Sequence, residues 1–429
     1  MARASSGVLA LLMVAAMACG DDDASPGAPD GRAPPGVRVQ SSKPRLTAAV
    51  PAADTQDLTR DNASFAFDVL GRTATNENFF FSPHSLSLAL AMTYGGAHER
   101  TATQMAQALR WTLPAERLHA AFGALDLELG RRGDKPVESG HAFELRILDA
   151  AWGQRGHVFL SSYLDLLAEH YGAGLNLLDF GSDPEGSRTA INRWVSQSTE
   201  ARIPELLPAG LISPATVLVL TNAISFTASW KNPFDPAQTS ERTFVGLDGQ
   251  ATNVPMMHQV RELRYAEGEG WQALELPYSG DEVSMIAILP GAGAFESFRA
   301  TLDGAKLGSI AGALGSRMTD VSLPRFRFRT QLPVKPTLQA LGMTDAFTPG
   351  TADLSGMDGT KSLFIEDVIH EAFVAVDERG TEAAAATAVV VGRVSAPEPA
   401  TFTADRPFLV VIRDNPTGAV LFAGQVTRP

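Results

Sequence analysis

Residues 378–402 read Glu378-Arg-Gly-Thr-Glu-Ala-Ala-Ala-Ala-Thr-Ala-Val-Val-Val-Gly-Arg-Val-Ser-Ala-Pro-Glu-Pro-Ala-Thr-Phe402, and this stretch decides the fold. Its local preference is divided. The alanines 383–386 favour helix, whereas Thr387 and the valines 389–391 favour strand. Written as a strand, one face carries Thr381, Ala383, Ala385, Thr387, Val389 and Val391. Each is small or β-branched and none is charged, so that face can be buried inside a sheet. Just beyond it, Gly392, Arg393, Pro397, Glu398 and Pro399 have the character of an exposed loop. The physical reading is a segment able to exist either as a loop or as an added central strand. The simpler alternative is an alanine-rich surface loop with a single state.

Strand signals lie on both sides of it. The run 363–377 alternates for part of its length. Downstream, 408–413 and 419–426 flank Asn415-Pro-Thr-Gly418 and read as a hairpin. Upstream, 216–230 is long and rich in Val, Leu, Ile and Phe, and 283–289 is a short apolar strand. Val321, Leu323, Phe326 and Phe328 suggest one strand running across Pro324. Helical patterns come first in the chain. Leu58, Asn62, Phe65, Phe67 and Val69 fit an amphipathic helix loosely. Ser82-Pro83 is an N-cap followed by proline at the first helical position. Residues 86–94 then read as a buried helix stopped by Gly95-Gly96, and 101–111 as another. Helices first and antiparallel strands later indicate an α+β fold.

The chain has 429 residues, 45% hydrophobic and 19% charged, which is a globular composition. No composition break interrupts 54–429, so that span reads as one large domain. The formal charge of −13 argues against nucleic acid as a partner. A single cysteine excludes an intrachain disulfide and Cys/His zinc clusters. Residues 1–18 read as a secretion signal, with Arg3 followed by an apolar run too short to span a bilayer. That run ends Ala16-Met17-Ala18-Cys19, which resembles the bacterial lipoprotein cleavage box and would make Cys19 the acylated first residue. The plainer alternative is an ordinary signal cut near Ala18. Residues 19–53, rich in Pro, Gly, Ala, Ser and Asp, read as a flexible tether. A secreted or cell-envelope location follows, with any membrane contact made only through the lipid.

Local catalytic motifs do not occur. Neither His98-Glu99 nor His370-Glu371 is followed by the second histidine of a zinc protease helix. There is no Gly-x-Ser-x-Gly elbow, no dinucleotide loop and no phosphate loop. Arg132-Gly133-Asp134 reads as a plain surface loop.

The sequence resembles the serpins, the serine protease inhibitors that include antitrypsin. The resemblance covers nearly all of 54–429, in order. It is carried by Asn78-Phe-Phe-Phe-Ser-Pro-His-Ser-Leu-Ser87, Thr221-Asn-Ala-Ile-Ser-Phe-Thr-Ala-Ser-Trp230 and Val254-Pro-Met-Met257. Glu275-Leu-Pro-Tyr278, Leu341-Gly-Met-Thr-Asp-Ala-Phe347 and Ala352-Asp-Leu-Ser-Gly356 follow. Asp377-Glu-Arg-Gly-Thr-Glu-Ala-Ala-Ala-Ala-Thr387 and Phe402-Thr-Ala-Asp-Arg-Pro-Phe408 close the series. The resemblance implies three β-sheets, about nine helices and an exposed reactive-centre loop. It implies a monomer whose partners are serine proteases, held as a covalent acyl-enzyme, with no cofactor and no catalytic residues of its own.

In such a protein the cleaved loop inserts into the main sheet and drags the protease with it, a strand addition that releases stored strain. The resemblance makes Glu378, Gly380, Thr381, Glu382, Ala383, Ala384, Ala385, Ala386 and Thr387 the hinge. None of the inward-facing hinge residues is charged or proline, either of which would spoil a central strand. Ser82, Ser85, Asn222 and His370 match a hydrogen-bonded cluster beneath the sheet, and Trp230 matches the site where insertion begins. The scissile residue usually lies fourteen positions after the hinge glycine, which gives Val394 and the bond Val394–Ser395. A small β-branched residue suits an elastase-like pocket. A loop one residue shorter would place the bond at Arg393–Val394 and make the target trypsin-like. A member that no longer inhibits and acts as a binding or structural protein is the alternative class.

Overall fold

The computed structural model describes residues 33–73, 76–132, 144–381 and 398–429. The first third is mostly helical: β1 (Val37–Val39), α1 (Ala52–Arg72), β2 (Phe79–Phe81), α2 (Pro83–Tyr94), α3 (Glu99–Ala108) and α4 (Ala115–Leu129). Then come β3 (Glu144–Gln154), α5 (Ser161–Leu166), β4 (Leu175–Leu178), α6 (Pro184–Ser198) and β5 (Leu218–Ser229). A run of strands follows: β6 (Ser240–Val245), β7 (Ala251–Gly268), β8 (Trp271–Pro277) and β9 (Val283–Pro290). Two short helices, α7 (Phe295–Ala300) and α8 (Gly304–Ala313), precede β10 (Gly315–Pro324) and β11 (Phe326–Pro333). Helices α9 (Val334–Ala340) and α10 (Ser355–Asp358) lead to β12 (Val368–Asp377) and the two-residue β13 (Gly380–Thr381). The chain closes with β14 (Ala400–Thr403), β15 (Phe408–Asp414) and β16 (Val420–Val426).

The main sheet has seven strands in the order β1-β4-β3-β5-β13-β12-β11. The remaining strands form a nine-stranded ladder built on the 18-residue β7, which pairs with β6 at its start (Ala251–Met256), with β10 along its middle (Met256–Tyr265) and with β8 at its end (Arg264–Gly268). Taken as two sheets sharing β7, that ladder gives the three sheets expected. The core lies between the main sheet and the ladder. Phe226 of β5 meets Phe422 of β16 at 5.7 Å, and Phe422 stacks on Phe80 at 4.9 Å. Helix α2 runs through this layer with every residue from Pro83 to Thr93 buried, as expected of a helix apolar on all sides. Its cap is the one read from the sequence: Ser82 Oγ accepts from the Ser85 amide at 3.2 Å. On the opposite face of the main sheet, Ile191, Trp194 and Val195 of α6 cover Trp152, Val219, Ala223 and Ile369.

Two expectations change. The strand across Pro324 is two strands in different sheets, because β10 ends at Pro324 in the ladder while β11 starts at Phe326 on the edge of the main sheet. Pro324 has no N–H to continue the ladder, and Arg325 turns the chain. The tether is also shorter than its composition suggests. Val37–Val39 pairs antiparallel with Leu175–Leu177, covering the edge of the main sheet. Beyond it Ser41 donates to Asp165, Lys43 pairs with Asp165 and Glu169, and the Leu46 amide donates to the Glu169 carbonyl at 2.7 Å. Backbone pairing and charge hold this segment, and neither needs the large apolar residues that the sequence lacks there. No helix among the described residues is long and apolar enough to cross a membrane.

Candidate functional site at the opening of the main sheet

The two central strands of the main sheet are parallel. Strand β12 pairs directly with β5 from Val368↔Leu220 to Ala372↔Ile224. Above that point β13 lies between them, with Thr381 opposite Val376 of β12 and Ala228 of β5, and Gly380 opposite Asp377 and Ser229. The stretch that the resemblance makes the hinge therefore has two of its first residues, Gly380 and Thr381, inside the sheet. Glycine is required at the pivot. Its φ is +153°, and a Cβ would stand 2.1 Å from the Ala228 carbonyl oxygen.

Several contacts fix this start. The Trp230 amide donates to the Arg379 carbonyl at 2.8 Å, and its indole N–H donates to the Asp377 carbonyl at 2.9 Å. The Glu378 carboxylate takes a bidentate guanidinium from Arg325, with contacts of 2.6 to 2.9 Å, and accepts from the Thr239 hydroxyl. Burial alone would push the Glu378 pKa up, but Arg325 and Thr239 outweigh it and hold the carboxyl below the usual range. Thr381 is buried, and its hydroxyl meets that of Tyr278 at 2.8 Å.

Below the opening, the four residues read as a cluster are joined. The Ser82 amide donates to His370 Nε2 at 3.0 Å. That fixes Nε2 as the acceptor, so Nδ1 carries the proton and donates to Asn222 Oδ1. The Asn222 amide donates in turn to Ser85 Oγ. His370 and Asn222 are register partners on β12 and β5, so their bond ties together the two strands. Burial lowers the His370 pKa to about 3, so it stays neutral across physiological pH. The cluster is a fixed polar latch, not a proton switch.

Comparison with known proteins agrees with this geometry. The family profile Serpin (serine protease inhibitor) matches residues 60–429. The chain is a serpin. It is 39% identical over 371 residues to an uncharacterized serpin-like protein of Thermococcus kodakarensis, covering 85% of this chain and 84% of that one. It is 37% identical to human antithrombin-III, covering 87% of this chain and 82% of that protein. It is 35% identical to the human leukocyte elastase inhibitor, covering 87% and 100%. Among solved structures, the thermophilic serpin tengpin in its native state superposes with a TM-score of 0.80 at 29% identity, covering 91% of this chain and all of that one.

The structure of this serpin thus brings Glu378, Gly380, Thr381 and Trp230 together at the top of the main sheet, and Ser82, Ser85, Asn222 and His370 beneath it. Glu382–Thr387, Arg393, Val394, Ser395 and Cys19 lie outside the described residues. Sequence reasoning missed Arg325, Thr239 and Tyr278. Each touches the hinge from 53 to 139 residues away in the chain, and no local pattern marks such a contact. Tyr278 does stand inside the Glu275-Leu-Pro-Tyr278 motif, which is the one signal that could have found it.

Proposed function

We propose that this serpin is an irreversible suicide-substrate inhibitor of serine endopeptidases. A target attacks the loop at Val394–Ser395, forms its acyl-enzyme, and is carried along as residues from Glu382 onward enter the main sheet. Secretion, and anchoring through an acylated Cys19, belong to the same reading. The observation that carries it is the position of β13, a first rung already seated between β5 and β12.

Continuing that register matches the loop to its slot residue by residue. Ala383 falls opposite Val374 and Phe226, and Ala385 opposite Ala372 and Ile224, all on the core face. Small side chains fit there and charges do not. Glu382 falls opposite Ala375 and Thr227, which are only half-buried, so its charge is tolerated. Residues 382–384 meet parts of β5 and β12 that do not pair with each other. From Ala385 on, five strand pairs must open, and the middle one is His370↔Asn222. Thr387 then arrives opposite both. A hydroxyl there can take over the bonds that the parting strands give up.

Specificity follows from the scissile residue. Val394 suits a shallow apolar pocket, and elastase-like enzymes are the expected targets. Arg393 would instead direct a trypsin-like enzyme by an ion pair deep in its pocket. Incubation with pancreatic elastase and with trypsin, read on denaturing gels and by mass spectrometry of the released C-terminal peptide, tests both points. A protease-sized covalent adduct with a peptide starting at Ser395 supports the proposal. A peptide starting at Val394 moves the bond to Arg393. Loop cleavage across a broad protease panel, with no adduct, would replace inhibition by a binding role.

A further inference from the structure

Tyr278 has no task in the reading above. Its ring is fully buried, stacked on Trp230 at a centroid distance of 4.5 Å and edge-on to Phe226 at 5.0 Å. Its backbone is fixed independently of the hinge. The Tyr278 amide donates to the Val283 carbonyl at 3.0 Å, and the next amide, of Ser279, donates to the Ser229 carbonyl at 2.8 Å. The phenol therefore stands on a rigid support and reaches the one described hinge residue inside the sheet that carries a hydroxyl. A phenol this deep without a partner is costly, as is a buried threonine hydroxyl, so each needs the other. Burial also pushes the Tyr278 pKa well above its ordinary value, which keeps the phenol neutral and able to donate.

We propose that Tyr278 is a positioning residue for loop insertion, its hydroxyl recognising that of Thr381 and holding the first rung of the incoming strand in register. The role rests on the inhibitory reading. Ordering the first residues of an added strand costs conformational entropy before many ladder bonds are made. With Thr381 already seated, insertion after cleavage proceeds as extension of an existing strand. A hinge that leaves the slot has to begin again while water attacks the acyl-enzyme. The pair also makes the hinge selective at its first inward position, since Val or Ala at 381 leaves a buried phenol unpaired.

Hydrogen exchange on the intact mature chain tests the contact without any protease. Tyr278→Phe should speed amide exchange in residues 377–381 by about tenfold, the effect of one unpaired buried hydroxyl. Exchange in β9 and β15 should stay as in the parent. Thr381→Val should act alike. The double variant, in which neither hydroxyl is left unpaired, should return to within about threefold of the parent. Unchanged exchange in Tyr278→Phe, or a double variant that merely adds the two single effects, would overturn the proposal. The second arm counts inhibitor molecules consumed per elastase inactivated, which should rise at least about threefold in Tyr278→Phe with the rate of loop cleavage unchanged. A parent that inhibits, beside a Tyr278→Phe variant of equal stoichiometry, removes the Tyr278 role alone. A parent forming no adduct with any protease removes the inhibitory reading, and the exchange result still decides the contact.

Discussion

Substituting Ala385 by glutamate is the sharpest probe of the insertion register. Extended from β13, residue 385 sits between Ala372 and Ile224, which are 0% and 1% exposed. No cation faces that position on either strand at those rungs. A carboxylate forced there is desolvated without a partner, or is protonated at comparable cost, and the penalty is on the order of 4 kcal/mol. If half of it is felt in the rate-limiting step, insertion slows by roughly thirtyfold. Deacylation of the trapped protease does not slow, so the loop is cut and the protease escapes. Glu382→Lys is the matched control. It falls opposite the half-buried Ala375 and Thr227 and should leave inhibition within about twofold of the parent. Titration of elastase with each variant, with gels separating adduct from cleaved inhibitor, gives the stoichiometry. Ala385→Glu inhibiting as tightly as the parent would refute the register, and with it the claim that the small-residue face is the buried one.

Three further outcomes follow from the same contacts. Removing residues 1–46 takes away β1, the Arg45–Asp126 ion pair at 2.5 Å and the Leu46–Glu169 backbone bond, and it bares the β4 edge. It should cost about 1–3 kcal/mol, seen as a lower thermal midpoint and faster aggregation; an unchanged midpoint would return the segment to a passive tether. Glu371 is buried on β12, where desolvation raises its pKa to about 7 against the opposing pull of Arg329, with an Nε–Oε1 contact of 3.2 Å. Its folded pKa lies above its unfolded one, so the penalty is absent below pH 4.5 and full above pH 7. Glu371→Gln should therefore stabilise the protein in urea at pH 8, by at most about 3 kcal/mol, and have little effect at pH 4.5; equal effects at both would contradict this. His119 and His370 are held neutral by burial, at about 4 and about 3. Below pH 6.5 the unfolded chain protonates them and the native one does not. Stability should fall by about 1.4 kcal/mol per pH unit per histidine from pH 6 towards 4, and His119→Gln should flatten that slope in acid denaturation curves.

Much of this was legible in the chain, for identifiable reasons. At the start of the proposed hinge, Gly380 was readable as the pivot and stands where a side chain cannot fit, while the alternation of small residues after it is a local sequence pattern that lies outside the described residues. The latch beneath the sheet was legible only through motifs in register, since Ser82 and His370 are 288 residues apart. Helix α2 declared itself through Ser82-Pro83 and a mostly apolar run from Leu86 to Tyr94. The segment 33–51 escaped because edge pairing and ion pairs leave no hydrophobic period. The break at Pro324 escaped because alternation continues on both sides of it, and only the change of sheet reveals two strands. The Tyr278–Thr381 pair escaped because each residue alone reads as an ordinary core or hinge position.

The central claim is that residues 382–391 can leave the loop and extend β13 into a full central strand of the main sheet. Its most direct test is the stability of the domain before and after one cut in the loop, made by a protease that is not trapped and is then removed. Insertion adds two strand ladders and buries the small-residue face, so the cleaved form should melt about 10 °C or more above the intact form, with both fragments unfolding together. A cleaved form that melts at or below the intact one would mean that the loop stays out, and the inhibitory mechanism would fall with it.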